Sequence, residues 1–241
     1  MRKPLFFRYL ETYIRYIMMI FVLMVCNILL LIPCYLFSNI IYPTWTTLSK
    51  VCLLILGVKI RIIGKIPKEG HYVVVGNHTT FVDIFIIAII GDSRKGSVFI
   101  NKRLLNIPFL GTWLKLLKPI PINPTTGCGV RKGIEKAIYF INNENINFFG
   151  FPEGTRTING EISNFKPGMF DIAIKSNVDV IPFGSAGSFE FKPKNRGWIK
   201  PGKIIVYIGN PISTQGKNRE ELCLSIKNEV SFCVKKAEAL L

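Results

Sequence analysis

A histidine and an aspartate five positions apart are the first residues of this chain whose types and spacing suggest catalysis. His78 and Asp83 belong to the stretch GNHTTFVD, between a strand-like run, HYVVV, and an apolar run, FVDIFIIAII. Residues five apart lie about 140° from each other around a helix, so these side chains can meet only if His78 precedes the helix and Asp83 lies in its first turn. The carboxylate would then orient the imidazole for general base catalysis. The alternative is a capping box from Thr80 to Asp83.

A second group of chemically useful side chains follows a later apolar run. The segment FFGFPEGTR, residues 148–156, reads as a strand that ends in Glu153, Gly154, Thr155 and Arg156. Ligands of open α/β sheets bind at the carboxyl ends of the strands. A guanidinium there could hold a phosphate through two charge-assisted hydrogen bonds. The alternative is a simple turn with a local ion pair between Glu153 and Arg156.

Together these two segments resemble the glycerolipid acyltransferase family, of which 1-acyl-glycerol-3-phosphate acyltransferase is the best-known member. The family's His-x-x-x-x-Asp pattern is present as NHTTFVD, and its Phe-Pro-Glu-Gly-Thr-Arg block is present unaltered. The later segments SNFKPGMFDIAI and VIPFG are similar to further blocks of the family, in the expected order. The resemblance covers residues 62–191, over half of the chain.

This resemblance implies transfer of an acyl group from a thioester, acyl-CoA or acyl-carrier protein, to the free hydroxyl of a lysolipid. It gives His78 the role of base and Asp83 that of orienting His78. Arg156 would hold the acceptor's phosphate, and Glu153 would position either Arg156 or the acceptor hydroxyl. Backbone N–H groups around Gly154, or at the helix start near Thr80, would bind the oxyanion. The resemblance implies no metal and no tightly bound cofactor.

The chain departs from the family in its middle block. Asn101 stands where the family usually has a lysine, seven residues before a Pro-x-x-Gly. Lys102 and Arg103 follow at once and could supply the missing charge. The predicted substrate-binding residues are therefore these two cations together with residues 153–156.

A second departure concerns the acceptor. Pro124 stands where the family usually has an arginine, and Lys118 or Arg131 could compensate. The leading hypothesis is acylation of 1-acyl-glycerol-3-phosphate to phosphatidic acid. The alternatives are the same reaction on glycerol-3-phosphate or an aminoacyl lysolipid, or a non-enzymatic basic scaffold bound to a membrane. A scaffold has no need of a histidine and an aspartate at this spacing.

The composition indicates an anionic partner. The 241 residues carry a net charge of +16, which suits an acidic membrane surface, a phosphorylated substrate or nucleic acid. Much of that charge flanks apolar segments, and no helix-turn-helix or zinc pattern is present, so nucleic acid is not an expected partner. The six cysteines include no CxxC motif and indicate reduced thiols in a protein facing the cytosol.

The N-terminal 57 residues are strongly apolar and, from residue 12 to residue 68, contain no acidic side chain. Basic residues flank both ends of this region. A hairpin that turns between Pro33 and Pro43 would keep both flanks on the cytoplasmic side, as the positive-inside rule favours. We therefore expect a hairpin that enters one leaflet, with a spanning helix or an ordinary buried helix pair as alternatives. The absence of a small-x-small site argues against a cleaved signal peptide.

The rest of the chain alternates between short apolar runs and helical segments. This alternation predicts an α/β fold with a mixed, largely parallel sheet covered by helices. We therefore expect two parts, a membrane-associating apolar hairpin at 1–57 and a catalytic α/β domain at 58–241. A C-terminal amphipathic helix from Glu221 should bury Leu222, Ile226, Val230, Cys233, Ala237 and Leu240. The predicted strands are VKIRII, YVVVGN, SVFI, INFFGF, DVIPFG and KIIVYIG, and the predicted helices include 81–90, 131–142 and 169–175.

Overall fold

The structure, a computed structural model, describes residues 4–123 and 129–241. Its described residues contain one seven-stranded sheet and eight α-helices. The strands are β1 (Val58–Ile63), β2 (Val73–Gly76), β3 (Gly96–Asn101), β4 (Ile120–Ile122), β5 (Asn147–Gly150), β6 (Val180–Ala186) and β7 (Gly202–Ile208). The helices are α1 (Leu5–Leu36), α2 (Ile41–Ile55), α3 (Asp83–Ile90), α4 (Leu110–Leu116), α5 (Val130–Glu144), α6 (Gly168–Ser176), α7 (Ser188–Phe191) and α8 (Arg219–Glu238).

The sheet is mixed and largely parallel, as predicted. Its strand order is β1-β7-β6-β2-β5-β3-β4. The five strands from β6 to β4 run parallel to one another, whereas β7 pairs antiparallel with β6 and parallel with β1. Every residue of β2, β5 and β6 is buried, which explains why these strands read as continuous apolar runs. β2 lies near the centre of the sheet, so its carboxyl end is enclosed on both sides.

Helices cover both faces of the sheet. Val74 of β2 belongs to an apolar cluster shared with α1, α2, α3 and α4, whereas Val73 and Val75 face a cluster shared with α5, α6 and α8. The alternation of neighbouring side chains between the two faces is the ordinary period of a strand. The predicted α8 is confirmed, and five of its six predicted core residues are fully buried. Leu240 is an exception, because it lies beyond the last turn of the helix and is 44% exposed.

The N-terminal region forms the predicted helical hairpin. α1 continues through Pro33 to Leu36, and a 3₁₀ turn over Ser38–Ile40 leads into α2. The Arg15 guanidinium of α1 donates a 2.7 Å hydrogen bond to the carbonyl of Ile55 near the end of α2, so the two helices fold back on each other. In the described ranges, α1 is the one helix long and apolar enough to cross a membrane.

One side of α1 packs on the α/β core and the other side remains exposed. Thr12 accepts a 3.1 Å hydrogen bond from the backbone N–H of Ile199, and Asn27 donates a 3.2 Å bond to the carbonyl of Phe109. Leu23 and Cys34 join the cluster that also contains residues of α3 and of the sheet. On the opposite side of α1, five apolar side chains each expose more than half of their surface: Phe6, Ile17, Phe21, Ile28 and Tyr35.

Candidate active site

The predicted site residues converge on the carboxyl ends of three neighbouring strands. His78 lies two residues beyond the end of β2, and Glu153 lies three residues beyond the end of β5. Ser185 lies at the end of β6, on the other side of β2. Because adjacent strands are about 4.8 Å apart, this parallel pairing brings their C-terminal loops into contact. The site therefore occupies the edge at which open α/β sheets bind ligands.

His78 and Asp83 form the expected dyad. The Nδ1 atom of His78 lies 2.7 Å from Oδ2 of Asp83, whose side chain is almost fully buried. His78 lies in the loop before α3, and Asp83 is the first residue of that helix. In the part of the chain that the structure describes, the other ring nitrogen, Nε2, has no hydrogen-bond partner. This arrangement leaves Nε2 available to accept a proton.

Asp83 is fixed by the loop and does not belong to a capping box. Its Oδ2 accepts backbone N–H bonds from Thr79 at 2.8 Å and from Thr80 at 3.0 Å. The helix starts two residues later than predicted, and the Thr80 hydroxyl is buried without a hydrogen-bond partner in the described residues. The complete capping box is therefore not formed, because only its bond from the Thr80 N–H to Asp83 is present. The two N–H groups hold the carboxylate against the imidazole.

The backbone of His78 is held by the segment that follows β5. Glu153 Oε1 accepts a 2.7 Å hydrogen bond from the His78 N–H, and the Thr157 N–H donates a 2.9 Å bond to the His78 carbonyl. Glu153 Oε2 accepts from the N–H and the hydroxyl of Ser163, at 3.0 and 2.8 Å. Both carboxylate oxygens are thus engaged away from Arg156. The expectation that Glu153 positions Arg156 is wrong, and so is the local ion pair, since Glu153 instead positions His78.

A phenylalanine covers one face of the His78 imidazole. The rings of His78 and Phe151 are stacked, with centroids 4.3 Å apart and planes 10° apart. Phe151 in turn meets the edge of Phe183 at 6.1 Å. A Cβ atom on Gly76 would lie 2.4 Å from the Phe183 ring, so this close approach of strand and ring requires glycine.

A buried polar network joins the His78 loop to the end of β6. The side-chain amide of Asn77 donates to the carbonyl of Ser185 at 3.0 Å and accepts from its N–H at 2.8 Å. The Thr79 hydroxyl donates to Oγ of Ser188 at 2.7 Å, and the hydroxyls of Ser185 and Ser188 are 2.8 Å apart. Bonds on both sides of His78 therefore restrict the loop's backbone.

The predicted cations occupy two places. Arg156 is half-buried beside the His78 loop, and its charge helps to lower the pKa of Lys192. Lys102 and Arg103 are exposed in a 3₁₀ turn that follows β3, two strands away from β2. They lie at the same edge of the sheet, displaced sideways by about 10 Å. Asn101 caps that turn, because its side chain accepts a 3.0 Å hydrogen bond from the Arg103 N–H.

Both residues considered as replacements for the missing arginine are paired with a carboxylate. Pro124 itself is outside the described residues. Lys118 precedes β4, at the opposite edge of the sheet, and forms a 2.6 Å ion pair with Glu144. Arg131 is 94% exposed in the first turn of α5 and pairs with Glu135 at 3.4 Å. Lys118 therefore cannot compensate.

Backbone N–H groups near the dyad differ in availability. Those of Thr79 and Thr80 are bound to Asp83, and that of Gly154 donates to the carbonyl of Phe151 at 3.0 Å. In the described residues, the N–H groups of Thr155 and Arg156 make no hydrogen bond to protein. Gly154 has a φ of +72°, a value suited to glycine, and turns this segment back towards His78.

Several contributors to the site could not be found from the sequence motifs. Phe151 and Lys166 each belong to a block shared with the family, but the sequence assigned them no role. The Lys166 ammonium lies 3.0 Å from the position that a Cβ atom on Gly154 would take. Ser163 and Ser188 carry no local signal, because their partners are distant in sequence. Among the residues described, no three His, Cys, Asp or Glu side chains are grouped as metal ligands.

Comparison with known proteins identifies the family of this chain. Residues 57–186 match the acyltransferase family. The chain belongs to that family. The matched segment of this acyltransferase chain contains the dyad, the loop from Phe151 to Thr157 and the strands β1 to β6 that carry them.

Curated relatives extend the comparison. The chain is 30% identical over 161 residues to a chloroplastic 1-acyl-sn-glycerol-3-phosphate acyltransferase of Brassica napus, covering 66% of this chain and 45% of that protein. It is 24% identical over 220 residues to 1-acyl-sn-glycerol-3-phosphate acyltransferase of Saccharomyces cerevisiae, covering 87% of this chain and 72% of that protein. The chain spans less than half the length of the Brassica napus and Arabidopsis thaliana relatives that it matches.

A solved structure shares the fold over nearly the whole chain. The 1-acyl-sn-glycerophosphate acyltransferase of Thermotoga maritima superimposes with a TM-score of 0.78 and 24% sequence identity. The match covers 96% of this chain and 98% of that chain. The helical hairpin is therefore part of the shared architecture.

Proposed function

We propose that this protein is a 1-acyl-glycerol-3-phosphate O-acyltransferase, which makes phosphatidic acid from lysophosphatidic acid and an acyl thioester. The observation that carries the proposal is the 2.7 Å contact between His78 and Asp83, which leaves Nε2 of His78 without a hydrogen-bond partner in the described residues. Family membership and relatives named for this reaction support it. The donor is acyl-CoA or acyl-carrier protein.

The dyad supplies a base for direct acyl transfer. Nε2 of His78 takes the proton of the acceptor hydroxyl as its oxygen bonds to the acyl carbonyl carbon, while Asp83 stabilises the imidazolium. The tetrahedral intermediate collapses when its C–S bond breaks. The thiolate that leaves takes the proton from His78, which restores the neutral imidazole. This route needs no acyl-enzyme and no metal or tightly bound cofactor.

The oxyanion of that intermediate needs hydrogen-bond donors. The N–H groups of Thr155 and Arg156 are the available donors of the Gly154 turn, since those of Thr79 and Thr80 are bound to Asp83. We assign the oxyanion to this turn. Donors fixed in advance at the site of developing charge are among the largest contributions to catalysis.

Arg156 is assigned to the phosphate of the acceptor, in a substrate-binding segment of Glu153, Gly154, Thr155 and Arg156. Glu153 contributes indirectly, through His78. Lys102 and Arg103 lie at the same edge and draw anionic substrates towards it. Asn101, which caps a turn, stands where the family usually has a lysine, and this departure favours the alternative that the same reaction takes place on a different acceptor. That acceptor would be glycerol-3-phosphate or an aminoacyl lysolipid.

The exposed side of α1 and the basic flanks are assigned to an anionic membrane surface on the cytoplasmic side. The contacts of α1 with the body run from Arg8, which stacks on Trp198, to Asn27, which bonds to the carbonyl of Phe109, a length of about 29 Å at 1.5 Å per residue. A helix covered along one side over such a length cannot cross a bilayer unless the polar body enters it too. The hairpin therefore lies in one leaflet, with residues 58–241 in the cytoplasm as the catalytic part.

Steady-state kinetics of Arg156→Ala and Arg156→Lys test this function. Losing a charge-assisted hydrogen bond to phosphate costs about 1.5–3 kcal/mol, so Arg156→Ala should raise the KM for lysophosphatidic acid ~10- to 100-fold. The KM for the thioester should stay the same. Lysine should restore only part of the loss, because a point charge cannot replace the planar fork. Wild-type protein that ignores lysophosphatidic acid but acylates a phosphate-free lysolipid would refute the proposal.

A further inference from the structure

The short helix α7 lies between the two loops that form the candidate site. Ser188, its first residue, accepts the 2.7 Å hydrogen bond from Thr79 in the His78 loop. The ring of Phe189 lies 3.2 Å from the position that a Cβ on Gly160 would take, in the loop after β5. Lys192 directly follows α7, which ends at Phe191, so its backbone lies about one helical turn from the contact of Ser188 with the His78 loop.

The charge of Arg156 acts on Lys192. Burial lowers the pKa of Lys192, and the positive charges of Arg156 and then Arg196 lower it further. The Lys192 ammonium makes a long hydrogen bond of 3.4 Å to the carbonyl of Pro193. Within residues 4–123 and 129–241, neither Lys192 nor Arg156 forms an ion pair. A site with two half-buried positive charges is therefore left to be neutralised by an anion from outside.

The third cation, Arg196, has a structural role. Its guanidinium donates to the carbonyls of Glu190, Phe191 and Trp198 and stacks on the Trp198 ring at 4.1 Å. These bonds close the loop that follows α7. The Lys192 ammonium and the Arg156 guanidinium are not held by a comparable set of bonds.

A phosphate monoester requires more than one positive partner. It carries a charge of about −1.5 to −2 near pH 7 and presents three acceptor oxygens. Arg156 balances one of these charges. The position at which the family usually has a lysine is occupied by Asn101, whose side chain caps a turn. Candidates for the second positive charge are Lys102 and Arg103 after β3, Lys166 beside Gly154 and Lys192 after α7.

We propose that Lys192 is that second phosphate-binding residue and that it acts with Arg156 on the phosphate monoester of the acceptor. This inference rests on the proposed function and specifies how its acceptor is recognised. The planar guanidinium of Arg156 takes two phosphate oxygens, and the ammonium of Lys192 takes the third. Acceptors that lack the phosphate leave the two cations unneutralised and bind more weakly.

The test compares Lys192→Gln with Lys194→Gln in the full-length protein, assayed in vesicles of fixed anionic lipid content. Lys194 is exposed two residues away, so both variants lose the same charge and the same attraction to the membrane. Lys192→Gln should raise the KM for lysophosphatidic acid ~tenfold, with the donor KM and kcat within ~twofold of wild type. Lys194→Gln should match wild type, and Lys192→Arg should recover part of the affinity.

Inorganic phosphate gives a second readout that does not depend on lipid packing. It should inhibit wild-type protein competitively against lysophosphatidic acid, with a Ki that rises in Lys192→Gln and not in Lys194→Gln. The double variant Arg156→Gln/Lys192→Gln should lose less than the product of the two single losses, because both residues hold one ligand.

The outcomes separate this inference from the proposed function. If wild-type protein acylates lysophosphatidic acid and Lys192→Gln behaves like Lys194→Gln in both readouts, Lys192 does not bind phosphate and the proposed function stands. If Lys192→Gln raises the donor KM instead, the residue serves the thioester and the inference is refuted. If the wild type does not accept lysophosphatidic acid, the proposed function itself is refuted.

Discussion

Replacement of Glu153 by glutamine distinguishes a residue that positions the base from one that binds the acceptor. The side chain is 4% exposed, and its two oxygens accept from the His78 N–H at 2.7 Å and from Ser163 at 3.0 and 2.8 Å. Glutamine keeps the shape but offers one oxygen and one NH₂ group. Whichever way the amide is turned, an N–H donor then faces another donor.

The magnitude follows from which donor loses its partner. Ser163 is exposed, so water can satisfy its N–H and hydroxyl. Glutamine therefore keeps its oxygen on the His78 N–H, and that bond changes from one to a carboxylate, worth about 1.5–3 kcal/mol, to one to a neutral amide, worth about 0.5–1.5 kcal/mol. If the difference of about 1–1.5 kcal/mol is lost from the alignment of His78 in the transition state, kcat falls ~5- to 10-fold. The thermal stability of the variant should also fall, because the same bond joins the loop after β2 to the loop after β5.

The assay is steady-state kinetics with both substrates varied, together with thermal unfolding. Glu161→Gln serves as the control, since Glu161 is an exposed carboxylate of the same loop that contacts Asn159. We expect Glu153→Gln to lower kcat while leaving the acceptor KM within ~twofold. A variant with normal kcat and Tm but a raised acceptor KM would refute the reasoning and would restore a direct role in binding the acceptor.

The other predictions concern the base and the membrane. His78→Ala should lower kcat by ~10²–10⁴ with the fold intact, whereas His71→Ala, at a half-buried position just before β2, should change it little; the reverse result would exclude the dyad. A cysteine at Tyr35, a side chain 82% exposed near the hairpin turn, should resist a membrane-impermeant maleimide from either side of sealed vesicles and react in detergent. Lys194→Cys should react from the outer side, and labelling of Tyr35→Cys from the lumen would show a complete crossing.

The dyad could be predicted from the sequence because its determinants are local. A strand, a five-residue spacing and the start of a helix are enough to bring His78 and Asp83 together. The long apolar strands were equally predictable, since burial of both faces leaves a continuous apolar run. β4 was missed because three residues with Pro121 in the middle fall below the length at which periodicity is informative.

The role of Glu153 could not be predicted, since its partner on His78 lies 75 residues away in sequence. Sequence spacing favours the nearby Arg156, whereas the order of the strands places β5 beside β2 and brings Glu153 to the His78 loop. This error comes from a contact that the tertiary fold creates.

The stacking of Phe151 on His78 also restricts the order of events at the base. With one ring face covered at 4.3 Å and the Nδ1 edge held by Asp83, the imidazole can be approached through Nε2 and the remaining face. The acceptor hydroxyl and the thioester carbonyl must then occupy the same open side together. Such a geometry fits a ternary complex, in which both substrates are bound before either product leaves.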